Sequence, residues 1–173
     1  VKKERFIGLV ILTKTEDLGW IAILRRRGWF SIEKIASQHF QGVCQVTVNG
    51  KCKEGESPIE ALVRKMKEGF GLEFCKEFDL STFHNRCVEL NQKETNRKMV
   101  ITYGIIIPFE LVLKIRIDNP FDRLEKLMKK QAFSDHIRKV NEADKEKGIQ
   151  NMNMIAMFPD EKKAVLSAFE KLT

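Results

Sequence analysis

Between Gly50 and Leu72 the chain reads GKCKEGESPIEALVRKMKEGFGL, and this stretch constrains the fold more than any other. Ser57 followed three residues later by Glu60 has the pattern of a capping box. Pro58 falls at the first helical position, where a missing N–H loses no partner, and Gly71 suits the left-handed turn that ends a helix. These signals predict a helix from about Pro58 to Phe70. Ile59, Leu62, Val63, Met66 and Phe70 recur at spacings of three and four, so one stripe packs on a core while Glu60, Arg64, Lys65 and Glu68 face away from it. Residues 65, 68 and 69 then share one patch, because helix positions three and four apart are neighbours.

Gly50, Glu56, Arg64, Met66, Glu68, Gly71 and Leu72 stand in the register G, five residues, E, seven residues, R-E-U-x-E-E-x-G-U, where U is a bulky aliphatic. In this the segment resembles the box of the Nudix hydrolases. Lys65 replaces the acid of the R-E pair and Gly69 the second acid of the E-E pair. The resemblance covers roughly residues 5–118 and 151–172 and implies an α/β protein: an α/β/α sandwich of Nudix type with a mixed β-sheet. In the resembling enzymes three clustered glutamates gather divalent cations against a diphosphate, and the glycine loop adds a backbone oxygen. Mg²⁺ suits that set because it is a hard cation that takes oxygen ligands, neutralises the diphosphate and activates water. With Lys65, Glu68 and Gly69 the same patch has no net formal charge.

The resemblance implies a domain that binds a nucleoside diphosphate-linked or similar phosphorylated ligand, with hydrolysis of the phosphoanhydride lost or weak. Glu56, Arg64 and Glu68 are what remains of the catalytic frame. Arg25, Arg27, Gly50 and Lys65 are the ligand-binding candidates, with Lys65 placing positive charge where the family places a metal. Arg64 has a second role in the family, pairing internally, with Glu56 as its partner here. An alternative is an active hydrolase in which Glu56, Glu60 and Glu68 hold Mg²⁺ or Mn²⁺ and a base such as Glu142 comes from elsewhere. Another is a nucleic-acid or protein interaction module that keeps only the scaffold.

A chain of 173 residues suits a single domain, and 43% hydrophobic with 32% charged residues is a globular composition. No apolar run approaches ~20 residues, so no membrane-spanning helix is expected. The net charge of +7 points to an anionic partner: nucleotide, polyphosphate or nucleic acid. Cys44, Cys52, Cys75 and Cys87 form no C-x-x-C pair and read as free thiols of a cytoplasmic protein, Cys44 in the core and Cys52 accessible in the box loop. His39, His84 and His136 have no acid or nucleophile beside them in a triad pattern.

Along the chain, Phe6–Leu12 and Trp20–Leu24 predict a hairpin, and Phe40–Val48 a third strand. Trp29 and Phe30 between them read as packing residues. Glu73–Phe78 follows the box helix, and Phe83–Leu90 with Met99–Ile107 form a second hairpin. Leu111, Leu113, Ile115 and Ile117 alternate as in a half-buried strand. Asn119-Pro120 is a helix start, so residues 119–149 are expected as a helical insertion: a first helix to about Gln131 with Phe121, Leu124, Leu127 and Met128 inward, a second over Ser134–Lys147. By resemblance, Glu142 and Glu146 are the insertion's candidates for an additional acidic ligand. A strand at Asn153–Phe158 and a helix from Pro159 close the chain.

Overall fold

From Ile7 to Thr13 every residue of the first strand is buried, because the sheet it organises is covered on both faces. The computed structural model describes residues 2–173. Its first half holds β1 (Glu4–Thr15), β2 (Gly19–Arg26), β3 (Phe30–Ser31), β4 (Ala36–Ser37), β5 (Cys44–Val46), β6 (Val48–Lys51) and the helices α1 (Pro58–Gly69), α2 (Leu72–Glu77) and α3 (Leu80–Arg86). Next come β7 (Val88–Glu94), β8 (Lys98–Ile106), α4 (Phe109–Val112) and β9 (Arg123–Met128). The chain ends with α5 (Lys129–Ala132), β10 (Ile137–Lys139), α6 (Asp144–Lys147), β11 (Ile155–Met157) and α7 (Pro159–Leu172).

The main sheet runs β5-β2-β1-β8-β7, with β6 also paired to β1 and β9 to β2. β1 and β8 are parallel from Glu4↔Lys98 to Leu12↔Ile106, whereas the other pairings in this sheet are antiparallel, so the sheet is mixed. Alternation along β1 divides the core. Ile7, Leu9 and Ile11 pack with Ala61, Leu62 and Met66 of α1 and with Phe70, Phe74 and Phe83. Val10 and Leu12 meet Ala164, Val165, Ala168 and Phe169 of α7 on the other face. This is the α/β/α sandwich expected from the sequence. No helix among the described residues is long and apolar enough to cross a membrane.

Several segments differ from expectation: residues 40–43 form a turn in which Phe40 and Gly42 take positive φ, and residues 83–86 belong to α3, so the strands there are Cys44–Val46 and Val88–Glu94. Residues 72–77 are helical, and the reason is a stripe four residues apart: Phe70, Phe74 and Phe78 place successive rings 5.1 and 5.2 Å from one another. Residues 109–112 form a short helix instead of the start of a strand, the carbonyl of Pro108 accepting from the N–H groups of Leu111 and Val112. Val112 and Ile115, three apart, are the buried pair, and Leu113 is exposed. Most consequentially, the helix expected from 119 to 131 is the strand β9 followed by one four-residue helix, and the second expected helix is reduced to β10 and α6. Leu127 of β9 joins the core under α7, while Leu124 and Met128 pack on the core under α1. A strand covered on both faces has no need to alternate, and its apolar residues here imitate a helical stripe.

Candidate functional site

The box helix starts where its sequence signals place it, with the Ser57 half of the capping box formed. Ser57 Oγ accepts from the N–H of Glu60 at 3.2 Å, Pro58 opens the helix, and Gly71 has a φ of +88°. Arg64 ties this helix to the loop before it: Nε donates to Glu56 Oε2 at 2.8 Å, and Nη2 donates to Glu56 Oε1 at 3.1 Å and to the Lys51 carbonyl at 2.9 Å. The Lys53 N–H adds a bond to Glu56 Oε1 at 2.9 Å. The Arg64 hydrogen bonds, followed by that from Lys53, hold the Glu56 carboxyl down at about 2. Arg64 also reaches Glu68 across one turn at 3.4 Å. Glu56 and Arg64 thus fasten loop to helix.

On the sheet side of α1 the side chain of Lys65 lies across Gly50. A Cβ added at Gly50 would fall 2.8 Å from Lys65 Cγ and closer still to its Cε. Gly69 faces Asp118, whose carboxyl would stand 3.9 Å from a Cβ at that position. Asp118 arrives because β9 pairs with β2, which brings residues 118–122 against Arg25. Arg25 Nη2 donates to Asp118 Oδ1 and Nε to Asp122 Oδ2, both at 2.8 Å. Asp122 is buried, and its Oδ1 accepts from the Gly28 N–H at 2.8 Å and from Gln38 Nε2 and Asn119 Nδ2 at 3.0 Å. Gly28 permits this closeness: a Cβ there would lie 2.7 Å from that of Phe121 and closer to its backbone.

The result is a polar cavity of about 280 Å³ lined by Arg25, Arg27, Lys65, Thr47, Asn49 and Asp118, among others. A recess of about 40 Å³ carries it to Glu68 and Gly69. Arg27 donates to the His39 carbonyl at 3.0 Å and to Gln45 Oε1 at 3.4 Å, and has no ion-pair partner among the described residues. Burial lowers its pKa, with Asp122 acting in the opposite direction. Arg26, between these two arginines, is 1% exposed and points the other way, to Glu125 at 2.7 Å and the Gly42 carbonyl at 2.8 Å. Trp29, Phe30 and Phe121 form a cluster with ring centroids 5.2 to 5.5 Å apart, although Trp29 stays 54% exposed.

Arg25, Arg27, Gly50 and Lys65 are therefore brought together, whereas Glu56 and Glu60 line a different, open cleft of about 550 Å³ with Arg64, Lys67 and His84, and Glu68 borders both this cleft and the recess. Glu142 and Glu146 approach neither. Glu142 stands by Phe40 and Phe158, and Glu146 lies 3.4 Å from His39, because residues 137–147 follow β10 away from the box. The acids that sequence reasoning missed include Asp118 and Asp122, flanking the Asn119-Pro120 pair that reads as a helix start, and also Glu33 on the cavity lining and Glu161 beside Arg27 and Asn49. Cys52, expected to be accessible, is buried in the core beneath α1.

The donors do not make a divalent-metal set. Glu56 is held on both oxygens by Arg64, Asp118 is held by Arg25, Lys65 covers Gly50, and Gly69 has no side chain to give. Among the described residues no three His, Cys, Asp or Glu side chains converge as metal ligands.

No protein-family model and no curated protein matches the sequence. Solved structures do match the fold. The Nudix domain of Shewanella oneidensis NrtR, complexed with ADP ribose, aligns over 100% of this chain and 90% of that one at 13% identity and a TM-score of 0.60. A MutT/nudix family protein from Listeria innocua aligns over 98% and 94% at 14% identity and a TM-score of 0.59. A MutT/nudix family protein from Enterococcus faecalis aligns over 99% of this chain at 14% identity and a TM-score of 0.57, and this chain spans 62% of its length. The chain has the Nudix fold.

Proposed function

We propose that this chain binds a nucleoside diphosphate-linked or similarly phosphorylated ligand in the cavity between β2 and the box, with phosphoanhydride hydrolysis lost or weak. The observation that carries the reading is Lys65 lying across Gly50. Lys65, its methylene chain crossing the glycine loop and its side chain lining the cavity, offers a phosphate oxygen the positive charge that a divalent cation offers in the resembling enzymes, without the water activation that a metal adds. Arg27, desolvated and in no ion pair among the described residues, adds a guanidinium suited to the same anion. The ADP ribose bound by the Shewanella domain gives the ligand class to try first.

The test is a metal-dependent turnover screen over nucleoside diphosphate derivatives, run beside thermal-shift measurements with the same compounds. Stabilisation by such a compound in the presence of a chelator, with little turnover in Mg²⁺ or Mn²⁺, supports the reading. Efficient turnover would overturn it in favour of an active hydrolase. That alternative draws on the shared cleft of Glu56, Glu60 and Glu68, and it requires Glu56 to leave Arg64.

A further inference from the structure

Arg25 is held by two carboxylates that are not equivalent. Asp122 has a side chain 5% exposed and spends both oxygens, one on Arg25 Nε and the other on Gly28, Gln38 and Asn119. Asp118 is 48% exposed and bonds only to Arg25 Nη2, at 2.8 Å, and to the N–H of its neighbour Asn119, at 3.1 Å. Asp122 is part of the wall. Asp118 sits at the mouth of the recess, facing Gly69, with Lys65 among the same lining residues.

We infer that Asp118 is a built-in competitor for the anion site: an exchangeable carboxylate that occupies Arg25 until a phosphate takes its place. The inference rests on the cavity being the site of a phosphorylated ligand, and it adds how that site selects. Asp118 gives Arg25 a single oxygen, Oδ1 on Nη2, and a phosphate oxygen can take that one place with Asp122 still on Nε, so the exchange preserves the geometry around Arg25. Asp118 is half in water and keeps its solvation when it leaves, so its release is cheap. Asp122 stays on Nε throughout and keeps the guanidinium aimed at the cavity. A group bearing two negative charges meets Arg25, Arg27 and Lys65 together and displaces a single carboxylate, whereas a singly charged anion gains little over Asp118. Asp118 thereby biases the cavity toward phosphate and diphosphate and against carboxylates.

The experiment is calorimetry of the full chain with inorganic pyrophosphate and with ADP ribose, chelator present, on the parent protein, Asp118→Asn and Asp118→Ala, with thermal melts of each. Asp118→Asn retains an oxygen for the Asn119 N–H, and Asp118→Ala removes the competitor altogether. Both variants are expected to bind pyrophosphate about threefold to tenfold more tightly, the gain from removing one half-exposed charge opposed to the ligand. They are also expected to bind acetate measurably where the parent does not. Unchanged or weaker pyrophosphate binding by both variants, with the parent binding ADP ribose, overturns the exchange and leaves the binding site standing. Loss of the fold in both overturns it too, since Asp118 would then be structural. If neither parent nor variants bind either compound, the exchange and the proposed function fail together.

Discussion

The methylene chain of Lys65 rests on the Cα of Gly50, in a gap that a Cβ would fill. The contact joins the end of the β6 strand to the middle of α1 and fixes the course of the Lys65 side chain toward the cavity. Gly50→Ala should force Lys65 off the loop. Because Lys65 is flexible, the fold should survive with a modest fall in melting temperature, while affinity for a phosphorylated ligand drops. Unchanged affinity in Gly50→Ala would separate the lysine's position from binding.

Gly69 closes α1 with room beside it, the nearest atoms to an added Cβ being those of Asp118 at 3.9 Å. Gly69→Ala should therefore stabilise the chain by roughly 0.5–1 kcal/mol, the helix cost of glycine, read as a shift in the urea midpoint. The double change Lys65→Glu and Gly69→Glu should raise Mg²⁺ affinity by restoring oxygen donors beside Glu68. Calorimetric titration of Mg²⁺ checks it. No gain would mean that Asp118 or the Arg64 pairing, and not the replaced acids, limits the metal.

Glu56 carries a pH dependence. Its folded value near 2 lies below the ordinary 4.5, so the Arg64 pairing contributes fully above the unfolded pKa and is lost as pH falls from about 4.5 to about 2. The parent protein should lose stability through that window in urea unfolding. Glu56→Gln should be less stable at pH 7 and flatter below pH 4.5. A parallel pH profile for the two proteins would show that Glu56 is not the titrating group.

Arg26 tests the other face of the same strand. Its guanidinium is buried against Glu125 and two backbone carbonyls, Gly42 and Met154. Arg26→Ala should cost about 2–3 kcal/mol, since it empties a buried site and unpairs the Gly42 and Met154 carbonyls while Glu125 keeps Arg123. It should leave ligand affinity nearly unchanged in whatever fraction stays folded. Arg26 thereby distinguishes the structural member of the arginine triplet from Arg25 and Arg27.

The box helix was legible because its signals are local: Ser57, Pro58 and Gly71 act within a few residues, and Arg64 meets Glu56 across one loop. The hairpin of β1 and β2 was legible for the same reason. Residues 119–149 were misread because Leu124, Leu127 and Met128 sit at helical spacing for a non-helical reason, two of them facing one core and one the other. No local pattern shows that β9 will pair with β2, nearly one hundred residues earlier. That pairing is also what delivers Asp118 and Asp122 to Arg25, so the error over the strand and the failure to see these two acids have one cause.

Whether Lys65 stands in for a metal is decided by calorimetry of ADP ribose against the parent protein and Lys65→Ala, both with chelator in the cell. Metal-free binding by the parent, weakened more than tenfold in Lys65→Ala with an unchanged melting curve, is the expected result, since charge-assisted contacts of this kind are worth ~1.5–3 kcal/mol. Binding that disappears on chelation, or that is indifferent to Lys65→Ala, would contradict it.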